Sequence, residues 1–251
     1  MPAVRPNGLT NNKRSGVRQM QKRCMPRIGR AIMVMLATVV AAQSLRYYAA
    51  LGNVWFGIDP NIKAVILQVP LQALMHMLVA PAALVLGPLQ FFPGLRARHP
   101  ALHRCSGRVY VLACVIGGTG ALATSPFASG GWVAGLGFGI LAGLWIGTTM
   151  AAWISVVRGR LEWHRLLMRF SYAMTFGAVV LRLQIPIGFV LGYGSYSSMS
   201  PILAFTSWIP NVLIVALYST LEARWRSRGF NEPSVPSAPN MAGQRVRNCG
   251  R

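Results

Sequence analysis

Residues 131–151 read GWVAGLGFGILAGLWIGTTMA, a run of 21 residues without a charged side chain. A helix needs about 20 apolar residues to cross the hydrocarbon core of a bilayer, so this run predicts a transmembrane helix. Glycine recurs in it at every fourth position, at residues 131, 135, 139, 143 and 147. Small residues on one face allow helices to approach closely in lipid. We therefore predict a glycine zipper that packs this helix against the preceding one, which has a shorter row at Ala113, Gly117 and Ala121.

Other apolar stretches of similar length lie on both sides of this run, and together they predict six transmembrane helices. The predicted spans are residues 31–51, 66–91, 107–127, 131–156, 167–192 and 201–220. The connections are short, so neighbouring helices should be antiparallel. The predicted fold class is all-α, a polytopic membrane helix bundle. It divides into a basic, disordered N-terminal segment (1–30), a six-helix transmembrane domain (31–220) and a basic, disordered tail (221–251).

The charges predict how the helices are oriented. The chain has 25 Lys and Arg but only 4 Asp and Glu, and the positive residues cluster in residues 1–30, the second and fourth loops and the tail. The positive-inside rule then places both termini in the cytoplasm, which indicates a bacterial inner membrane protein. Blocks of charge between apolar runs indicate contact with anionic lipid headgroups rather than nucleic acid. Residues 31–42 also resemble a signal-peptide core, but the leader is long and the apolar run continues, so we expect this span to be retained.

Polar residues inside the spans are the first candidates for a functional site. The second span carries Gln68, Gln72 and His76, and the fifth carries Ser171, Thr175 and Arg182. The rise of a helix places His76 and Arg182 at a similar depth, each about 15 Å from the outer end. Every carboxylate lies outside the spans, so Arg182 should be met by carbonyls, Gln or Tyr side chains, water or a ligand. Gln72, His76 and Arg182 are therefore a candidate midplane site, for example for a quinone carbonyl.

A second candidate lies at the cytoplasmic interface, where HRCSGR (103–108) and HRLLMR (164–169) share the pattern H-R-x-x-x-R. Both open spans that run outward, so His103 and His164 should lie at the same level among arginines. Histidines on facing helices are the usual ligands of b-type haem in a bundle. Pro100 suits a first helical turn with His99 as its cap, which makes a metal site formed by His99 and His103 doubtful. The four cysteines form no CxxC pair, so we predict neither a metal site nor disulfides.

Four stretches of the chain resemble a known bacterial family. They are GPLQFFPGLRARHPALHRCSGRVYVLACVIGG (87–118), GLGFGILAGLWIGTTMAAW (135–153), RGRLEWHRLLMRFSYAMTFGAVVLRLQIP (158–186) and SWIPNVLI (207–214). They look like the membrane family named domain of unknown function 2306, and the resemblance covers roughly residues 65–215. It implies a multi-span membrane fold and supplies no established activity.

Three functions remain open at this point. The first is a multi-pass membrane protein with no assignable catalytic activity, and the second is a membrane redox protein that binds haem b or quinone. The third is a transporter or membrane sensor with a midplane polar site. No protease, kinase, nucleotide-binding or metal-hydrolase motif is visible in the sequence. A homo-oligomer and a small-molecule ligand are compatible with each of the three.

Overall fold

The computed structural model describes residues 27–52 and 57–230, and every regular element in those ranges is a helix. The α-helices of these ranges are α1 (Arg27–Gln43), α2 (Arg46–Ala49), α3 (Pro60–Gln68), α4 (Pro70–Gln90), α5 (Pro93–Arg98), α6 (Pro100–Thr124), α7 (Gly131–Val157), α8 (Leu161–Val190), α9 (Tyr196–Thr206) and α10 (Ile209–Phe230). Short 3-10 turns, Ala50–Gly52 and Ser125–Phe127, follow α2 and α6. The predicted all-α class is confirmed. Most of the two segments predicted to be disordered, residues 1–26 and 231–251, lies outside the described residues.

Six segments of the described chain are long and apolar enough to cross a membrane, as predicted. They are Ile28–Ala49, Pro70–Gln90, Pro100–Phe127, Gly131–Val157, Leu161–Val190 and Tyr196–Trp225. The third and fifth spans begin earlier than predicted, at Pro100 and Leu161. The first turns of these helices carry arginines and histidines. Such residues have low hydropathy, so the predicted spans start after them although the backbone there is already helical.

The second predicted span is interrupted near its start. The helical conformation is interrupted at Val69 (φ −136°, ψ 66°), which lies between α3 and α4. Pro70 causes this break, because proline disfavours a helical conformation in the residue before it. Gln68 therefore belongs to α3, and its predicted place in one continuous span with Gln72 and His76 is wrong. The sixth span is also divided, into α9 and α10, and α10 continues past residue 220 to Phe230.

Internal contacts divide the chain into one unit that ends at Val215 and a second that begins at Ala216, so that α10 contributes to both. The second unit continues as helix, and within it the Thr220 hydroxyl donates a hydrogen bond to the Leu217 carbonyl at 2.8 Å. All residues discussed below belong to the first unit.

The backbones of α4 and α6 come into direct contact. A Cβ atom added to Gly120 would lie 2.6 Å from the Gln72 carbonyl oxygen and 2.7 Å from the His76 backbone nitrogen. A Cβ atom added to Gly117 would lie 3.2 Å from the backbone nitrogen of Ala80. The distances at Gly120 leave no room for a side chain, so glycine is required there. Small residues therefore bring the third span against the second, and not primarily against the fourth as predicted.

The structure does not show the predicted glycine zipper on α7. Gly143 and Gly147 are exposed, and an added Cβ atom would meet nothing within 4 Å at either position. Gly135 and Gly139 face Ser125, in the turn after α6. The reason is geometric. Four residues rotate an α-helix by about 400°, so glycines spaced four apart shift around the helix axis by about 40° at each step. After a few steps they no longer face the same neighbouring helix.

A buried network of hydrogen bonds joins α6, α7 and α8. The Tyr110 hydroxyl lies 2.8 Å from Ser171 Oγ and 3.1 Å from Thr175 Oγ1, and Ser171 Oγ lies 2.7 Å from Thr149 Oγ1. Trp145 Nε1 donates to Thr175 Oγ1 at 2.9 Å. The Thr149 and Thr175 hydroxyls donate to the carbonyls of Trp145 and Ser171, at 2.7 and 2.9 Å.

Every donor in this network has an acceptor. The hydroxyl hydrogens of Thr149 and Thr175 go to the two carbonyls, so Ser171 donates to Thr149, and the single hydroxyl hydrogen of Tyr110 goes to Ser171 or to Thr175. Thr175 Oγ1 then accepts the indole N–H of Trp145. Because unsatisfied polar groups are costly where no water is present, this complete set stabilises one arrangement of the three helices.

A proline in α4 contributes a further link. Pro88 has no N–H to give to the Leu84 carbonyl, and the Tyr172 hydroxyl of α8 donates to that carbonyl at 3.4 Å. The Tyr172 ring packs over Gly87, where an added Cβ atom would overlap it. The Leu84 carbonyl that Pro88 leaves without a backbone partner thus accepts a hydrogen bond that joins the second and fifth spans.

We expect Gly120→Ala to destabilise the protein and Gly143→Ala to leave it unchanged or slightly more stable. The first adds a methyl group where backbone lies at 2.6 Å, and such overpacking costs about 1–3 kcal/mol. The second adds it to an open helix face, where alanine is favoured over glycine by about 0.5–1 kcal/mol. Thermal unfolding of both variants in detergent measures the difference. Equal midpoints would show that the α4–α6 approach is not tight.

We also expect Thr175→Val to destabilise the protein more than Tyr110→Phe. The valine leaves the buried Trp145 indole N–H without its acceptor, at a cost of about 1–3 kcal/mol. The phenylalanine removes one donor, while Ser171 and Thr175 keep other partners. Thr119→Val is the matched control, because Thr119 is exposed and bonds only to its own helix. The network is refuted if Thr175→Val melts at the same temperature as the control.

Candidate functional site

His103 and His164 occupy equivalent places on two helices that run in the same direction. His99 caps α6, Pro100 begins it as predicted, and His103 lies in its first turns, while His164 lies in the first turn of α8. Tyr110 and Ser171, each seven residues further along, are 2.8 Å apart. This shared register places the two histidines at the same level, about 10 Å from the Tyr110–Ser171 contact.

The His164 ring has a defined orientation and tautomer. Its Nδ1 lies 3.0 Å from the Ala152 carbonyl oxygen of α7. The carbonyl can only accept, so Nδ1 carries a hydrogen, and Nε2 is the ring nitrogen that presents a lone pair in the neutral form. A histidine that ligates iron or another metal is commonly held in this way, with its other nitrogen donating to a backbone carbonyl.

His103 has an unused buried nitrogen. Its Nδ1 atom is buried and makes no hydrogen bond to any described residue. The ring is close enough to His164 and to Arg96 for their charges to interact. A buried polar atom without a partner is rare in folded proteins and points to an absent water, ion or ligand. The two histidines therefore lie at the same level, and His103 has a ring nitrogen without a partner among the described residues.

Positive charge surrounds this pair. The exposed arginines of α5, α6, α8 and the loop before α8 are Arg96, Arg98, Arg104, Arg108, Arg158, Arg160 and Arg165. The Glu162 carboxylate pairs with Arg165 at 3.2 Å, and both side chains are exposed. This end of the bundle consequently keeps a large excess of positive charge, which favours anionic groups such as lipid phosphates or carboxylates.

His76 is held in the contact between α4 and α6. Its Nδ1 donates to the Gly117 carbonyl at 2.9 Å, across the close approach of the two helices. Among the described residues, the Gln72 side chain makes no hydrogen bond to His76 or Arg182. The structure thus brings two members of the predicted midplane group near each other, since Arg182 is within range of His76 for a charge interaction.

Arg182 belongs to a group of polar residues that sequence reasoning missed. Its Nη1 donates to the Ala178 carbonyl at 3.0 Å, one of the kinds of partner that were expected. Arg46, Tyr47 and Tyr196 lie within range for electrostatic interaction with it. They come from α2 and α9, at the ends of the first and sixth spans, where sequence reasoning placed no polar site. Ser171 and Thr175 belong instead to the network around Tyr110.

The described part of the chain contains no group of three or more His, Cys, Asp or Glu residues that could hold a metal ion. Cys105 is exposed and Cys114 is buried, and both are free thiols. Cys24 and Cys249 lie outside the described residues.

Comparison with known proteins identifies the family. No curated protein and no solved structure matches the chain. A family described as "Predicted membrane protein (DUF2306)" matches residues 73–219, which confirms the resemblance noted in the sequence. No activity is assigned to that family. The match covers more than half of the 251 residues, and the chain is a member of the membrane protein family DUF2306.

Proposed function

We infer that this protein is a membrane redox protein that holds one b-type haem between His103 and His164. The observation that supports this is that two histidines lie at the same level on helices of the same direction, and that the Nδ1 of His164 is used by the Ala152 carbonyl, which leaves its Nε2 available. The Tyr110–Ser171 contact joins the same two helices about 10 Å along the bundle from the histidines.

The number of ligands favours haem over a bare metal ion. A structural zinc ion takes four protein ligands and a catalytic one usually three. Haem brings four nitrogens of its own, so two histidines complete its iron. The nearby arginines, Arg96 and Arg104 among them, can meet the two propionates through charge-assisted hydrogen bonds.

The chain's own residues would tune such a site. The Ala152 carbonyl holds the His164 ring in one tautomer and makes its Nε2 a better electron donor. The Tyr110 network fixes the spacing of α6 and α8 beneath the histidines. A bound haem would supply one-electron transfer, and His103 and His164 would be the residues that hold it.

We expect protein purified from haem-replete membranes to show b-type bands in a reduced-minus-oxidised absorption spectrum. His103→Ala and His164→Ala should each abolish the bands, because both histidines would be needed to hold the haem. His99→Ala is the matched control, since His99 is an exposed cap on the same helix and should leave the spectrum unchanged.

A colourless wild-type protein would overturn the haem proposal, and so would unchanged bands in both His103→Ala and His164→Ala. Size-exclusion profiles of the variants in detergent separate loss of haem from loss of folding. Arg182→Leu should retain the haem bands, because Arg182 lies on α8 eighteen residues beyond His164.

The second candidate function is transport or sensing through the polar residues around Arg182. A charged side chain inside a span is costly and commonly marks a ligand path. Arg182 lies within charge-interaction range of His76, and both lie inside spans. This observation supports a separate ligand site and is compatible with haem at the other end.

The charge pattern supports a place in the bacterial inner membrane with both termini cytoplasmic. Arginines are exposed in the connections after the second and fourth spans, at Arg96, Arg98, Arg158 and Arg160. The connection after the third span has no charged residue between Thr124 and Gly131. Positive-inside bias then orients the first group toward the cytoplasm and its anionic lipids.

Reporter fusions test this orientation. Fusions after Arg98, Gly130 and Arg160 should report cytoplasm, periplasm and cytoplasm, because successive connections lie on opposite sides of the membrane. An alkaline phosphatase reporter and a fluorescent protein give complementary signals at each position. The inverse pattern would mean that the termini are periplasmic, and any other order would contradict six spans.

A further inference from the structure

We propose that Arg30 and the apolar groove beside it bind one anionic phospholipid, with the phosphate on the guanidinium and an acyl chain in the groove. The groove is a cavity of about 410 Å³ that is lined by Arg30, Ala31, Val34, Met35 and Phe92. The site is independent of the haem proposal, because it shares no residue with His103 and His164.

Two successive turns of α1 supply most of the groove. Arg30 and Val34 lie four residues apart, as do Ala31 and Met35, so each pair is stacked along the helix surface. The second residue of each pair lies about 6 Å further along the axis. Phe92, the residue before α5, completes the lining. The groove is therefore cationic at the start of the first span and apolar further into it.

Arg30 lies at the level where a bilayer places its headgroups. It is the third residue of the span Ile28–Ala49, about 3 Å along the axis from the start of that span. Its guanidinium carbon lies over the Phe92 ring, 5.7 Å from the centroid. This cation–π contact orients the guanidinium, whose N–H donors lie in its own plane and match the oxygens of phosphate.

The positive charge of Arg30 is not neutralised by the described carboxylates of the first unit. Asp59 accepts the Asn61 N–H at 2.8 Å, and Glu162 pairs with Arg165 at 3.2 Å. The Arg30 guanidinium donates no hydrogen bond to any described residue. A cation placed in this way at the edge of an apolar groove favours an anionic group from the membrane.

A phospholipid matches this order of polar and apolar surface better than a soluble anion does. Free phosphate would contact Arg30 and leave the side chains of Val34, Met35 and Phe92 uncovered, whereas an acyl chain covers them. The cavity volume of about 410 Å³ lies within the range of about 300–1,000 Å³ that is usual for small-molecule sites. Ala31 and Met35 are exposed, so the groove opens on the surface of the bundle that faces lipid.

The groove lies apart from the contact that holds α1 on the bundle. That contact is formed by Ala37, Val40, Ala41, Leu84 and Val179. Arg30 precedes Ala37 by seven residues, which is about 10 Å along the helix. Substitutions at Arg30 and Ala31 therefore change the groove and leave this packing in place.

Native mass spectrometry of the full chain in detergent tests the proposal. After delipidation, phosphatidylglycerol and phosphatidylcholine are added back separately, because both have a phosphate and acyl chains but only the first has a net negative charge. Wild-type protein should retain phosphatidylglycerol more tightly. Arg30→Gln should weaken its binding about tenfold, through loss of a charge-assisted contact. Ala31→Phe should also weaken it about tenfold, because the added ring fills the groove while the guanidinium remains.

Arg98→Gln and Ala42→Phe are the matched controls. Arg98 is an exposed arginine and Ala42 an exposed alanine of α1, and neither lines the groove. Both controls should bind phosphatidylglycerol as wild type does. The proposal fails if wild type retains the two lipids equally, or if either groove variant binds phosphatidylglycerol as tightly as its own control. Ala31 is exposed, so Ala31→Phe decides the question even if Arg30→Gln does not fold.

Two other results would assign the groove to a different occupant and overturn the proposal. The first is a thermal shift with inorganic phosphate that Arg30→Gln abolishes while phosphatidylglycerol retention is unchanged, which identifies a soluble anion. The second is a smaller oligomer in Ala31→Phe, measured by size exclusion with light scattering, while lipid retention is unchanged. That result identifies a second copy of the chain.

Discussion

The contact between the backbones of α4 and α6 is the constraint on which the rest of the bundle depends. Gly120 has no room for a side chain because the α4 backbone at Gln72 and His76 lies against it. Without a hydrophobic drive between helices in lipid, such close contact is a main source of association. It allows His76 to donate to the Gly117 carbonyl. It also sets the position of α6, which carries both Tyr110 and His103.

The polar side chains of the bundle fall into two groups that differ in how completely they are satisfied. Tyr110, Trp145, Thr149, Ser171 and Thr175 use every donor among themselves and nearby carbonyls, so no hydrogen is left for a ligand. His103 and Arg182 instead retain buried or partly buried polar atoms without a full set of partners. In an apolar environment the second group is costly, and that cost is the physical reason to assign function to it.

Two of the proposed sites lie at opposite ends of the same helix, α8. His164 is in its first turn, and Arg182 lies eight residues before its end. The Tyr110 network lies between them and joins α8 to α6 and α7. That network is packed and fully bonded, so it holds α6, α7 and α8 in one arrangement between the two sites.

The sequence by itself determined the membrane class, the number of spans and the family, because span length, charge blocks and short motifs are local properties of the chain. It also identified His103 and His164 as equivalent positions through the repeated H-R-x-x-x-R pattern. Helix pairing could not be predicted in the same way. The glycines of α7 suggested a zipper, yet a row at four-residue spacing rotates around the helix, and Gly143 and Gly147 face open space. Only the tertiary structure decided that Gly117 and Gly120 bring α6 against α4, that Ser171 and Thr175 join Tyr110, and that Arg46 and Tyr196 approach Arg182. Each of these contacts depends on the rotation of a helix about its own axis, which packing against its neighbours sets.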